Sequence, residues 1–587
     1  MFGKIINIGE SYVTVECAAD RNQIPDLLNI HVVFESSGQF ILGEVESIDK
    51  DVLKIRLLGE FIGGKYVNGV LRKPTLTSNL RIINSNELTE LVGTYKEDTF
   101  KLGTSSLYRK YEVCPSLNAL FANHMAIFGN TGSGKSCGVA RIIQNIFANP
   151  KSLYFNSNIF IFDAYGEYKT AFKDINKFNE NYSYKFITTN RVDLTDYELK
   201  LPFHLLNGTD LGLLLQASSH SQLTIIDRAL RYAKIFSKSD VSVDEFKNHL
   251  VAKSILAVMY SNISIHEKKN QIFKIINTCS TPDFQFTTQL QGLGFTRTLD
   301  ECLIIDSKGN FSETILLTDY LLARINDEVE KMITPKDCYY TLEDFIAAFD
   351  FTLISEGFLS NKRIYDDAMI LKVRLVNVTN SKLKAIFSSD AYMNTDSYIS
   401  TLVNDANNRR NQIININLED IDDSYAKVLV KVFSRIFFDF VKTRKDRASV
   451  PIHLFLEEAH RYIQHDDDVY MYGYNIFERI AKEGRKYGII LDLISQRPVE
   501  ISETVISQCN NFLIFKMTHP RDLEYIEKMV PNISKDVIDK QKSLQPGTCV
   551  GFGAAFKIPM IVKMEMPNPT PNSSSCDVYG RWKTQNK

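Results

Sequence analysis

The chain has 587 residues, too many for one compact core and enough for about three or four domains. Its 44% hydrophobic and 24% charged residues exclude a disordered or fibrous protein. With 68 Lys and Arg against 70 Asp and Glu, no overall positive field draws it onto nucleic acid or an anionic membrane, so any such contact must be local.

Residues 1–95 alternate apolar and polar positions in short runs such as KIINIG, YVTVEC, IHVVFES and VLKIRLLGEF. Period-two alternation of β-branched residues, with turns at GES, SSG, DKD and GGK, predicts a small N-terminal β-barrel. Leu91 to Leu117 is polar and loses the periodicity, which reads as a connector. The first part of an α/β core is expected over 96–204. MAIF is a short buried strand, and after a glycine loop Val139, Ile142, Ile143, Ile146 and Phe147 recur at helical spacing until Asn149-Pro150. NIFIFDAYGEY supplies a second apolar strand ending at Asp163.

From 205 to 404 helical periods replace strands, with Ser242–Glu245 and Thr341–Asp344 in capping-box spacing, so a helical insertion is expected. The core resumes over 405–563, where NQIIININ, IHLFLEEAH, GIILDLIS and NFLIFKM alternate with helical stretches, the pattern of a parallel sheet covered on both faces. GTCVGFGAAFKIPMIVKM reads as a hairpin, and 564–587 as an extended tail.

The nine cysteines, at 17, 114, 137, 279, 302, 338, 509, 549 and 576, form no C-x-x-C pair for zinc or redox exchange and read as free thiols of a reducing cytosol. The first residues lack the basic and apolar regions of a signal peptide, and no run of about 18 apolar residues suggests a membrane span. A cytoplasmic location is expected.

Gly129-Asn130-Thr131-Gly132-Ser133-Gly134-Lys135-Ser136 is a G-x-x-x-x-G-K-S loop between a strand and a helix, where backbone N–H groups and a helix N-terminus face an anion. These residues, with Cys137, are the expected ATP phosphate cradle; Lys135 would bridge β- and γ-phosphates and Ser136 would ligate Mg²⁺. IHLFLEEAH places two acids at the end of an apolar strand: Glu457 for the Mg²⁺ shell, Glu458 to orient or deprotonate the attacking water. Gln496 in ISQRP is positioned to report on the γ-phosphate, and Asp163, with Glu167 four residues on, to join the Mg²⁺ network or merely to cap a loop. Arg485 in KEGRKYG lies on an expected surface where a ring arrangement would make it an arginine finger for a neighbour, with Arg479 and Arg497 as fallbacks. KTRKDR and NNRRN read as solvated basic runs or pore loops.

In this order, HMAIFGNTGSGKS, DAYGEY, LEEAH and EGRKYG followed by SQRP resemble the HerA branch of the HerA/FtsK ATPases, across nearly the whole chain. The resemblance implies a RecA-like P-loop core, a hexameric ring that hydrolyses ATP between subunits and moves double-stranded DNA through its pore, and a tail lying across an adjacent subunit. It also implies an effector partner, a nuclease or a sirtuin-like NAD-hydrolysing enzyme, in phage defence or DNA end resection. The Asn- and Lys-rich composition leans towards bacterial defence. An ATP-gated scaffold for that effector, and a secretion or conjugation ATPase, are the other readings; the missing membrane helices speak against the latter.

Overall fold

The computed structural model describes residues 2–18, 27–36, 38–49, 51–238, 240–355, 362–464, 466, 468–529, 535–573 and 577–583. Cys576 lies outside them. Two compact units emerge: Met1–Tyr197 with Ser400–Asp466 and Tyr474–Lys587, and Glu198–Ile399 with Asp467–Gly473.

In chain order the strands are β1 (Phe2–Ile8), β2 (Tyr12–Cys17), β3 (His31–Ser36), β4 (Gln39–Asp49), β5 (Val52–Ile62), β6 (Lys65–Asn68), β7 (Asn79–Ile82), β8 (Gly103–Ser105), β9 (Glu112–Val113), β10 (Met125–Phe128), β11 (Ile159–Asp163), β12 (Tyr184–Thr188), β13 (Tyr197–Glu198), β14 (Gln289–Gln291), β15 (Thr296–Thr298), β16 (Ile413–Asn417), β17 (Ile452–Glu457), β18 (Ile489–Ser495), β19 (Asn511–Phe515), β20 (Thr548–Gly553) and β21 (Met560–Lys563).

The first seven make one antiparallel sheet in the order β1-β2-β5-β4-β3-β7, with β6 on β5. Register shifts after Leu42 and Val45 curl it, because a bulge bends its strand and raises the local twist. Among the described residues the end strands β1 and β7 are not paired, so of the expected barrel the structure shows a curled antiparallel sheet. Strand alternation gives it two apolar faces. Val13, Val15, Phe34, Ile41, Leu53 and Ile55 fill one core. Val33, Leu42 and Phe61 point the other way, onto the helix Ser85–Val92 and the main core.

The second sheet runs β13-β12-β16-β11-β17-β18-β10-β19-β20-β21-β8-β9. From β12 to β19 the paired strands are parallel; from β19 to β9 they are antiparallel. The sheet is therefore mixed, not wholly parallel as the strand–helix alternation suggested. The segment read as a connector, 91–117, supplies its edge strands β8 and β9. Three and two residues are too few to show a period, and backbone pairing makes them strands, β8 to β21 and β9 to β8. The central strands β10, β11, β16 and β19 are buried at every residue, which is why they read as predominantly apolar runs.

His124, just before β10, is buried, and its Nδ1 accepts the Leu491 N–H at 2.9 Å, which holds the ring as a neutral tautomer. Burial pushes its pKa down from 6.5 to about 4. The unfolded chain then binds the proton more tightly, so stability present above about pH 6.5 is lost as pH falls towards 4, by about 3 kcal/mol at full effect. The urea midpoint should fall across that window, and His124→Gln should make the fall shallower; an equally steep fall in the variant would assign it to other groups, such as the similarly depressed His31.

The second unit is helical. Its central helix, Val241–Tyr260, is apolar on most sides and buries Phe246, Val251, Ile255 and Val258, as a helix enclosed by others must. Phe236 of His220–Phe236 meets Phe351 of Leu342–Ser355 edge-on at 5.2 Å. Thr341 and Asp344 form the expected capping pair: the Asp344 N–H donates to Thr341 Oγ1 at 3.1 Å and the Thr341 N–H to Asp344 Oδ2 at 2.8 Å. At the other box the cap is Asp240, not Ser242: Asp240 Oδ1 accepts the Ser242 N–H at 3.1 Å and starts the helix two residues earlier. The tail is not extended throughout, since Val578–Lys583 is helical.

Candidate nucleotide site

Because β11, β17, β18 and β10 are neighbours and parallel, their C-terminal ends share one edge, where open α/β sheets present ligands. Phe128 pairs in register with Ser495, Ile494 with Glu457, and Asp163 with Asn417. Gly129, Gln496, Glu457 and Asp163 are brought together by this register, although up to 367 positions separate them in sequence.

The loop Gly129–Gly134 leads into the helix Lys135–Phe147. Its shape is held from outside: the Gly129 N–H donates to the Ser495 carbonyl at 3.3 Å, Asn130 N–H to Lys516 at 3.0 Å, and Gly547 N–H to Ser133 at 2.9 Å. Gly134 stands at φ 94°, and a Cβ there would lie 2.7 Å from Gly547 N, so both backbone conformation and close packing require glycine. The N–H groups of Gly134, Lys135 and Ser136 meet no acceptor among the described hydrogen bonds, and the buried Ser133 Oγ has no partner. Such unsatisfied donors at a helix N-terminus form an anion cradle.

Lys135 is buried and lies 3.7 Å from Glu458 Oε1. That oxygen also accepts from Gln496 Nε2 at 3.0 Å, and Gln496 Oε1 accepts from Thr131 Oγ1 at 2.6 Å. Asn130 Nδ2 donates to Thr518 Oγ1 at 2.8 Å. Loop, acid and strand-end glutamine thus form one chain of bonds. Glu458 has left-handed backbone, φ 49°, a costly conformation for a residue with a side chain and one that turns its carboxylate back towards Lys135. His460 Nδ1 sits 3.0 Å from Ser495 Oγ and 3.3 Å from Glu458 Oε2, behind the acid.

Beside Ser136 three carboxyl groups gather. Asp163 is fully buried and accepts from the Glu167 and Tyr168 N–H groups and from Asn415 Nδ2, each at 3.0 Å. Glu457 Oε2 accepts the Ala164 N–H at 3.2 Å. Burial, with Asp163 and Glu167 beside it, pushes the Glu457 carboxyl well above the usual carboxylate range. Burial likewise raises Glu167, against a hydrogen bond from Ser136. Three hard oxygen donors crowded out of water around a serine hydroxyl are a donor set suited to Mg²⁺, whose charge would let them ionise. Ser136 and Glu457 fit as its ligands, Asp163 and Glu167 as the acids behind them. When bound, the ion would neutralise developing phosphate charge.

Residues 100–437, more than half of the chain, match the family model described as the central domain of the helicase HerA. The chain belongs to the HerA helicase family. A DNA double-strand break repair helicase HerA of Saccharolobus solfataricus is 30% identical over 179 residues, 30% of this chain and 35% of that protein. The HerA of Pyrococcus furiosus, of the same description, is 22% identical over 528 residues, 89% of this chain and 78% of that one. Against the first of these relatives, the chain spans about a third of the relative's length. Among solved structures, VirB4 of Thermoanaerobacter pseudethanolicus gives a TM-score of 0.43 at 12% identity, covering 81% of this chain and 98% of that chain. The core is the α/β P-loop ATPase fold of the HerA type.

In this HerA-family chain the loop from Gly129 to Cys137, Asp163, Glu457, Glu458 and Gln496 lie together. Arg485 does not join them. It lies before β18, at the opposite edge of the sheet, where its Nη1 donates to Asn123 Oδ1 at 2.7 Å; the four residues of β10 alone put about 13 Å between Asn123 and the loop. Arg479 lies over the Phe438 and Tyr474 rings, and exposed Arg497 pairs with Glu500 at 2.9 Å. The basic runs are engaged in structure: Arg409 bonds the Glu180 and Tyr182 carbonyls, Arg410 bonds Asn158, and Arg444 and Arg447 lie over Phe440 and Tyr487. Asn415 and His460 escaped the sequence reading. The signal available for Asn415 was a polar residue flanked by isoleucines within the run IININ.

Proposed function

We propose that the protein is an ATP-hydrolysing ring motor that translocates on double-stranded DNA and works with a nuclease or sirtuin-like effector, in anti-phage defence. The observation that carries the reading is the convergence of Lys135, Ser136, Glu457, Glu458 and Gln496 on one sheet edge. There the cradle would hold the triphosphate of ATP with Mg²⁺ on Ser136 and Glu457, Glu458 would take the proton of the attacking water, and Gln496 would pass the state of the γ-phosphate from Thr131 to Glu458. Arg485, remote from its own loop, would serve the neighbouring subunit of a hexamer. We read 1–95 as a docking module that closes into a barrel, 96–204 and 405–563 as the two parts of the motor core, 205–404 as its helical insertion, and 564–587 as a tail. No helix of the described residues is long and apolar enough to cross a membrane, in keeping with the cytoplasmic site we assign.

The test is ATP turnover with and without duplex DNA at low salt, where phosphate contacts are strongest. Several-fold stimulation is expected; none would remove translocation. The net charge of −2 favours a second reading, an ATP-gated scaffold that activates its effector without processive movement. A Lys135→Ala ring would then still assemble with the effector but alter its activity. End resection of broken DNA is the third reading, and it requires a nuclease partner.

A further inference from the structure

The chain beyond β21 returns along the phosphate-binding helix of its own subunit. Glu565 pairs with Lys101 at 2.7 Å and with Arg141 on that helix. Next, Gln144 Oε1 accepts the Asn568 N–H at 2.9 Å, while its Nε2 donates to the Pro569 carbonyl at 2.8 Å and to the Ala171 carbonyl at 3.0 Å. Thr170 Oγ1 donates to the Thr570 carbonyl at 2.9 Å, and the Asn572 N–H donates to the Glu167 carbonyl at 2.8 Å. Ser573 then bonds the thiol of Cys137, the neighbour of Ser136.

This path runs from the middle of the helix to its first turn and ends on the residue whose carboxyl meets Ser136. Gln144 is 1% exposed and spends its amide on three backbone groups from two separate segments. A buried polar side chain is retained at that cost when it fixes what it bonds. The segment it fixes reaches the turn 163–167 through the Asn572 N–H bond to the Glu167 carbonyl; that turn carries Asp163 and Glu167, and small displacements of such groups cost rate more than affinity.

We propose that Asn568–Asn572 is a positioning element of the nucleotide site: tethered by Gln144 and the Glu167 carbonyl, it holds the 163–167 turn against Ser136, and its release slows turnover. The proposal rests on the reading of this site as an ATP site. Tail seating thereby sets the rate of the site at which the tail is rooted, in the same subunit.

The test compares the full chain, its Gln144→Met and Thr170→Val variants, and two shortened chains, one ending at Ser573, which keeps the strap, and one ending at Met566, which lacks it. Gln144→Met preserves the length of the side chain and removes its bonds. We expect it and the chain ending at Met566 to lower kcat about ten-fold with nucleotide affinity within about three-fold of the full chain, and to speed hydrogen exchange at the Glu167 and Tyr168 amides. The chain ending at Ser573 should keep both rate and exchange. Normal turnover and normal exchange in Gln144→Met overturn the proposal, as does a loss in the chain ending at Ser573 equal to that in the chain ending at Met566. If the chain ending at Met566 does not fold, the two full-length variants decide. Should the full chain hydrolyse no ATP, the ATP reading fails by itself; exchange at the two amides then judges the strap, and unaltered exchange overturns it.

Discussion

Glu458→Gln should reduce ATP turnover by about 10²- to 10⁴-fold, the range for loss of a positioned general base. The substitution keeps the side chain's size, so β17 and its turn should stay in place. What disappears is the charge that lies 3.7 Å from Lys135 and the proton acceptor held by Gln496 at 3.0 Å. Without ATP, the Lys135 ammonium is balanced by Glu458 in a buried pair, and phosphate must compete for it. Removing the carboxylate frees the lysine, so nucleotide affinity should hold or rise while turnover collapses. Single-turnover hydrolysis beside equilibrium binding of a fluorescent ATP analogue separates these effects. Unchanged turnover would strip Glu458 of the base role, and lost binding would make its contribution structural. Duplex DNA should give no stimulation in this variant.

Arg485→Ala should cost about 10³ to 10⁵ in turnover if the guanidinium serves a neighbour's nucleotide. The position of the residue makes the experiment decisive. Asn123 holds it at the end of β10 opposite the phosphate loop, so an effect on its own loop through contact is not available. Arg485→Ala alone and Glu458→Gln alone should each be inactive. Mixed, they should regain activity, because a site built from the loop face of the first variant and the finger face of the second is complete. A mixture as inactive as its parts would place the arginine's role within one subunit, and full activity of Arg485→Ala would direct the search to Arg479 or Arg497.

The phosphate loop was legible because its chemistry is contiguous: glycines, Lys135 and Ser136 act from neighbouring positions between a strand and a helix that each announce themselves. The strands β10, β11 and β16 to β19 were legible for a related reason, since burial on both faces leaves a predominantly apolar run. Glu457 and Asp163 could be found because each closes such a run. Strands of two or three residues could not, because β8 joins the sheet by pairing with a segment more than 400 positions away and β9 joins it only through β8. Asp240 displaced Ser242 as a helix cap for a local reason: Asp240 Oδ1 accepts both the N–H and the hydroxyl of Ser242, which leaves Ser242 inside the first turn. The barrel expectation is met as far as a curled antiparallel sheet, because alternation fixes which face a residue takes and is silent on which edge strands meet.

By itself, the sequence determined the local chemistry of this protein: a glycine-rich G-x-x-x-x-G-K-S loop at 129–136, acids at the ends of apolar strands, and a helical stretch interrupting a strand–helix alternation. These follow from residue type and spacing over a few turns or strand residues. The tertiary structure alone decided the strand order β11-β17-β18-β10, and with it the meeting of Asp163, Glu457, Gln496 and Lys135. It also separated Arg485 from them by the length of β10, and seated Asn568–Asn572 along the phosphate-binding helix beside Gln144 and Glu167. The physical reason is that non-local pairing and side-chain packing are set by the burial of whole surfaces, a quantity no short stretch of sequence contains.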